Sequence, residues 1–343
     1  LLSVDTALPI LELNGIVPDG VCILEAQMYN QLDFLGSSAR QAAVFADVSA
    51  YPPSLRLFNG PLYLFVSEFA SSALFNRMRR NSVLPHVIPP LGSIGVTGLY
   101  IALRITRGPV LFTGLDFAYR IGKTHANGSP SHTALLCRTE RTLPPIPYGI
   151  CMDRPRFQTE GKVSGNPAAV TTDLVLHSYI EPLNSVIGDD GRCFDIAGFG
   201  VRNNAQHIDT ESEFRKRLQS RPMPDTGGKP EHPASAVFHE RVSGTQGTGD
   251  VQRFFREELA LLEKAEKSGT HFITTDQSTG STEEALAAFS AVDYVYLHFP
   301  DPPPLPKNEV GFIKRAVISA GRYRELIANC MKLCNSGADM QVR

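Results

Sequence analysis

The sequence lacks any apolar run approaching the ~18 residues needed to span a bilayer, so no membrane-crossing helix is expected. It also lacks an excess of either charge. Its 33 Lys+Arg against 35 Asp+Glu leave a formal net charge of −2. That balance removes the basic footprint of a general nucleic-acid binder. Cysteine is sparse, six in 343 residues, and only Cys330 and Cys334 lie close together. This argues against a disulfide scaffold and against a zinc ribbon, which needs two close-spaced pairs. A reducing, cytoplasmic setting fits such usage. The opening has neither a basic n-region nor an apolar h-region, so no signal peptide is visible. The first residue is Leu rather than Met, and Leu1–Val4 reads like the middle of a buried strand. The expectation is that the natural chain starts further upstream.

What is present supports a sizeable core: 42% of residues are apolar and 20% charged. At about 150 residues per domain, two domains or one domain with an extension are expected. The first two hundred residues alternate short apolar runs with helical patterns, the signature of a parallel α/β sheet. Strands are expected at Val21–Leu24, Ala42–Ala46, Leu62–Val66, Val110–Thr113 and Arg192–Ile196. Helices are expected at Leu8–Leu13, stopped by Asn14-Gly15, at Ile94–Arg104, and at Thr172–Ile187, with a kink or end at Pro182. The fold class is therefore α/β, a Rossmann-like doubly wound and mostly parallel sheet with a helical C-terminal extension. Residues 1–205 form the α/β domain, 206–250 a mobile loop region and 251–343 the extension. Within the extension, Asp250 reads as the N-cap of a helix ending at Ser268-Gly269. Asp301–Pro306 reads as a stiff connector, and Val310–Leu333 as a final helix.

The informative stretch is Gly92–Asn127. It divides into a Gly/Ser loop, a helix, an apolar strand and a polar loop at the strand's C-terminal end, where open α/β sheets place their ligands. Gly92 and Gly95 let the backbone approach a ligand. The helix start offers free N–H groups and a positive dipole end, which suit a phosphate, and Ser93 and Thr97 add hydroxyls. A Gly-Ser loop before a helix is equally an ordinary helix start. Gly114 to Tyr119 leave the strand directly, with Asp116 at its end and Tyr119 reaching back over the loop. A lone Asp there also serves as a loop cap. His125 and His132 follow as candidate bases, although a loop His is commonly just solvated.

GLDFAYRIGKTHANGS (114–129) resembles the signature loop of the motility accessory factor (Maf) family. Those proteins are associated with glycosylating flagellin with sialic-acid-like nonulosonic acids. The motif also belongs to a wider group of domains similar to hydroxymethylpterin diphosphokinase MptE. Loop, helix, strand and GLDFAY together resemble bacterial sialyltransferases that use CMP-sugars. Asn14–Asp19 with the following Val21–Glu25, and Gly165-Asn166 with Thr171-Thr172-Asp173 and Tyr179, resemble further family segments. The likeness covers roughly residues 1–205. Glu25 stands where the family usually has Asp. No Gly-x-Gly-Pro-Ser-Leu loop is present, and no His stands near Gly165-Asn166-Pro167, where the sialyltransferases place theirs.

The resemblance implies a glycosyltransferase that moves a nonulosonic sugar from a CMP-sugar to a Ser or Thr of flagellin. Asp116, His125 and His132 are then the catalytic candidates. Gly92, Ser93, Thr97, Gly114, Tyr119 and Asp5 are the nucleotide-sugar-binding candidates. No cofactor is needed if protein groups stabilise the leaving phosphate. Two alternatives stand beside it. One is pyrophosphate transfer from ATP to a hydroxymethylpterin, which would use Mg²⁺. The other is a non-catalytic flagellin-binding accessory role. Strand Val110–Thr113 is expected to be central, and Asp116 to share one pocket with Gly92–Thr97. With the first strand and its loop expected to lie upstream, residues 1–343 are expected to bind CMP-sugars poorly.

Overall fold

The computed structural model describes residues 1–67, 72–120, 126–137, 140–142, 154–162, 169–189, 191–196, 198–208, 210–219, 248–275, 279–296 and 310–335. The chain divides into two compact units, one of residues 1–67 with 88–240, the other of 68–87 with 241–343.

The first unit is α/β, as the apolar alternation predicts. Strands β1 (Leu2–Val4), β2 (Gly20–Ile23), β3 (Ala43–Asp47), β4 (Leu62–Ser67) and β5 (His86–Ile88) line up in that order in one sheet. The ladders β1/β2, β2/β3 and β3/β4 are all parallel. Every residue of β2 and β3 is buried. Strands apolar on both faces need cover on both faces. One cover gathers Leu8, Phe34, Ala39 and Phe58 over Val21, Ile23 and Val44. The other sets Ile101, with Ile94 and Ile105, over Cys22, Ala43 and Phe45. Those isoleucines belong to a helix at Ile94–Ile105, which begins after Ser93 as expected.

A second parallel sheet has the order β10 (Gln206–His207), β9 (Cys193–Asp195), β6 (Val110–Phe112). Strand β6 is therefore an edge strand of this sheet and not central as the sequence implied. Its apolar character comes from the helices that cover it. Val96 and Leu99 of the 94–105 helix, and Leu183 and Ile187 of a helix at Ile180–Ile187, cluster on Val110 and Cys193. Burial by helices makes a strand apolar without strands on both sides.

The expected Thr172–Ile187 helix is also corrected. Ala169–Asp173 is strand β8, antiparallel to β7 (Arg156–Glu160). Two short helices follow, Leu174–Ser178 and Ile180–Ile187, broken at Tyr179. Pro182 sits in the first turn of the second helix, where its missing N–H costs nothing. Asp173 caps the first helix by accepting from the Leu176 amide at 2.9 Å. In the expected loop region, Gln206–His207 is strand and Glu211–Gln219 is helix.

The second unit is helical. Its helices are Ala73–Arg80, Thr248–Thr274, Thr279–Ser290 and Val310–Asn335. The long helix starts two residues before Asp250 and passes through Ser268-Gly269. Phe272, Phe289 and Phe312 fill the core between the last three. The 73–80 segment is tied to them by a buried pair: the Arg77 guanidinium donates twice to the Glu258 carboxylate, one bond being 3.0 Å. Arg77 also donates to the Ala291 carbonyl at 2.6 Å, and Tyr294 to Glu258 at 3.0 Å. Asp301–Pro306 lies outside the described residues. Among the described residues, no helix is long and apolar enough to cross a membrane.

Candidate functional site

The loop after β6 turns sharply. Gly114 takes φ +85°, and Phe117 takes φ +47°, a left-handed conformation that a phenylalanine rarely adopts. Neighbouring hydrogen bonds hold it there. The Thr172 hydroxyl donates to the Phe117 carbonyl at 2.7 Å, and the Tyr119 amide donates to the Thr171 carbonyl at 2.8 Å. The Tyr119 hydroxyl donates to Asp173 Oδ2 at 2.5 Å. Arg154 stands 3.6 Å from the same carboxylate oxygen. Burial pushes the Asp173 carboxyl up, but the Tyr119 hydroxyl, the helix-start amides and Arg154 outweigh it, and the net direction is down.

This loop meets the start of the 94–105 helix through side chains. The Phe117 ring lies 5.7 Å from that of Tyr179. Tyr179 in turn covers Gly92, where a Cβ would stand 2.9 Å from its ring and where φ is +73°. Leu115 occupies the space over Gly95, 2.2 Å from where a Cβ would be. Leu115 thus touches this segment directly, and Phe117 reaches it only through Tyr179.

The Asp116 carboxylate itself belongs to a different constellation. Lys162 places its ammonium 2.9 Å from Asp195 Oδ2 and 3.5 Å from Asp116 Oδ1. The Lys162 and Asp195 side chains are 1% and 0% exposed, while that of Asp116 is 34% exposed. Asn203 Nδ2 donates to Asp195 Oδ2 at 2.8 Å. Burial raises the Asp116 carboxyl above its ordinary range, against the opposing pull of the Lys162 ammonium. The backbone builds this arrangement from three chain segments. Val201 donates its amide to the Asp116 carbonyl at 2.8 Å, and Lys162 to the Gly200 carbonyl at 2.8 Å. Gly200 is obligatory: its φ is +130°, and a Cβ would lie 2.6 Å from the Asp116 carbonyl and 2.7 Å from Lys162 Cε. Asp195 ends β9 as Asp116 follows β6, and His207 ends β10 directly beside Asp195. The cluster thus sits on the C-terminal edge of the second sheet, where parallel sheets bind ligands.

Gly92 is covered by Tyr179, Tyr119 bonds Asp173, and the Asp116 carboxylate faces Lys162, so the candidates fall into separate sets of contacts and not the one pocket expected of Asp116 and Gly92–Thr97. Ser93 caps the helix by backbone alone, its carbonyl accepting from the Thr97 amide at 3.0 Å. Thr97 is buried in the first turn. Asp5 ends β1 in a separate set, accepting from the Thr6 amide at 2.7 Å and from Asn30 Nδ2 at 2.9 Å. Burial pushes its carboxyl up to about 6 despite those donors. His132 lies on a helix at Pro130–Cys137, its amide donating to Ser129 Oγ at 3.2 Å. His125 lies outside the described residues, as do Gly165 and Asn166. Lys162, Asp195, Asn203 and His207 were not anticipated. Asp195 had the same signal as Asp116, a carboxylate at the end of an apolar strand. Lys162 and His207 had none. Among the described residues, no group of three or more His, Cys, Asp or Glu side chains is disposed to hold a metal ion.

Comparison with known proteins adds to this picture. Residues 1–122 match the family model described as 6-hydroxymethylpterin diphosphokinase MptE-like. An uncharacterized protein of Treponema pallidum (strain Nichols) is 29% identical over 342 residues, covering 96% of this chain and 57% of its own length. The Maf glycosyltransferase structure from Magnetospirillum magneticum AMB-1 aligns with 99% of this chain and 52% of its own, at TM-score 0.46 and 13% identity. The chain thus spans little more than half the length of either protein.

Proposed function

We propose that this chain carries the transfer core of a glycosyltransferase, moving a nonulosonic sugar from a CMP-sugar to a Ser or Thr hydroxyl, with flagellin as the acceptor protein. The observation that carries this reading is the partly exposed Asp116 carboxylate held beside the buried Lys162–Asp195 pair. A carboxylate with a raised proton affinity at a strand's C-terminal end is suited to general-base work. In the reaction, Asp116 takes the proton of the acceptor hydroxyl as its oxygen bonds to the anomeric carbon. The bond from that carbon to the phosphate oxygen breaks, and its electron pair leaves with CMP. Lys162 holds Asp116 in place and offsets its charge. The resemblance of the 114–129 loop to the Maf signature supports the sugar and the donor.

The test is Asp116→Asn in a transfer assay with a CMP-nonulosonic acid. The expected result is a loss of about 10²-fold or more in transfer with CMP binding retained. Unchanged transfer overturns the assignment of Asp116.

A second reading, pyrophosphate transfer from ATP to a hydroxymethylpterin, is favoured by the family description that matches residues 1–122. Ligand protection separates the two. Protection by CMP without Mg²⁺ supports the sugar transferase, and protection by ATP only with Mg²⁺ supports the diphosphokinase. Protection by neither supports a non-catalytic accessory role.

A further inference from the structure

A groove of about 600 Å³ lies between the end of the Ala73–Arg80 helix and the first turns of the 248–274 helix, wholly within the helical unit. We propose that it docks an acidic peptide segment, one that sets a carboxylate against Arg80 and Arg253 and an apolar side chain, three or four residues away, on Leu261. The proposal is independent of the transferase reading.

The lining sets the charge of the partner. It holds three arginines, Arg77, Arg80 and Arg253, against one carboxylate, Glu257. Arg77 is fully engaged by Glu258 and the Ala291 carbonyl. The other two are not. Arg80 is exposed, and among the described residues it has no hydrogen-bond or ion-pair partner. Arg253 donates from Nε to Asn81 Oδ1 at 2.8 Å, and its Nη2 stands 3.1 Å from Asp250 Oδ1, which leaves Nη1. A guanidinium fork matches the geometry of a carboxylate.

Asn81 holds the arrangement in place. It is buried, and besides accepting from Arg253 its Nδ2 donates to Glu257 Oε2 at 2.8 Å and to the Arg77 carbonyl at 3.1 Å. One amide thus fixes the heads of Arg253 and Glu257, on successive turns of one helix, so less ordering is left for a ligand to impose. Glu257 keeps Oε1 as an acceptor. A peptide has backbone N–H groups to offer it, whereas the repeated phosphates of a nucleic acid would be repelled. A turn further on, Ala260 and Leu261 give the groove an apolar end. The eight positions from Arg253 to Leu261 span about 12 Å of helix. An extended peptide covers that length in about four residues, which sets the spacing of acid and apolar side chain.

The test uses the whole chain and a set of fluorescein-labelled peptides in a Gly/Ser background. Each carries a Glu-Glu pair and, at a separation that varies across the set, a Leu. Fluorescence anisotropy gives the affinities. The expected result is tightest binding at a separation of three or four residues, weakened at least tenfold in Arg80→Glu and, for the parent protein, when Gln replaces Glu in the peptide. A peptide with Lys in place of Glu should bind Arg80→Glu more tightly than it binds the parent, a reversal that a folding defect does not produce. No saturable binding of any acidic peptide, or equal affinity of the parent and Arg80→Glu, overturns the proposal. So does tighter binding of a labelled oligouridine than of the best peptide, which would assign the groove to nucleic acid. If Arg80→Glu fails to fold, the Glu and Gln peptides against the parent decide alone.

Discussion

Asp5 is costly as an ion. Its carboxyl is buried at the end of β1, and burial raises it from 3.8 to about 6. A raised carboxyl means that the folded protein holds its proton more tightly than the unfolded chain does. Stability from this group is therefore full below pH 4, falls as pH rises from about 4 to about 6, and stays lost above that. The shift corresponds to about 3 kcal/mol by linkage. Asp5→Asn removes the ionisation, and the free Asn30 Oδ1 can accept from the new amide if the Asn30 side chain turns over. Denaturant unfolding at pH 4 and pH 7 should show a smaller fall with pH in the variant than in the parent. Equal falls would show that Asp5 is not the group concerned. The candidate site was legible to a similarly partial degree. Asp116, Gly92 and Tyr119 carry local signals, a strand end, a glycine loop and an aromatic over a turn, but each meets its own partners, Lys162, Tyr179 and Asp173. Lys162 and His207 reach the site from segments 46 and 91 residues beyond Asp116, and nothing local marks them, because only tertiary pairing gives them a partner or a pocket.

Among elements, the short parallel strands were legible because burial on both faces writes a continuous apolar run. Val21–Leu24, Ala42–Ala46 and Leu62–Val66 are all found within a residue or two of their observed bounds. Thr172-Asp173 was misread because its helical neighbour Leu174–Ile187 imposed its own period on the end of the preceding strand. The strand's partner, Arg156–Glu160, is largely polar and gave no pattern to pair with. Gly269 misled in the other direction. A glycine after a long periodic stretch looks like a stop, yet here it lies inside the 248–274 helix for lack of room. A Cβ would stand 2.5 Å from Val317 Cγ2 and 3.0 Å from the Phe289 ring. Gly→Ala ordinarily stabilises a helix interior by about 1 kcal/mol. At position 269 overpacking should outweigh this, and Gly269→Ala should destabilise by about 1–3 kcal/mol in thermal or denaturant melts. A raised melting temperature would show that the helices are not packed this closely.

For the molecule as a whole, chain order and compact units do not coincide. Between β4 and β5, the helix Ala73–Arg80 takes its place among helices encoded some 180 positions later, fixed there by the Arg77–Glu258 pair. Both side chains are almost wholly buried. Removing one partner strands the other charge, so Glu258→Ala should cost about 3–5 kcal/mol, whereas Arg77→Leu with Glu258→Leu should recover much of the loss. Urea unfolding of the single and double variants measures this, and additive losses would show that the two residues do not act as a pair. The detour also matters during synthesis. The interval between Arg77 and Glu258 is 181 residues. At about 5–20 residues per second, a ribosome needs roughly 10–35 s to cross it. Throughout that interval the nascent 73–80 segment carries an arginine destined for burial whose carboxylate partner has not yet been made. The growing chain thus keeps that arginine solvated until the long helix emerges and supplies Glu258.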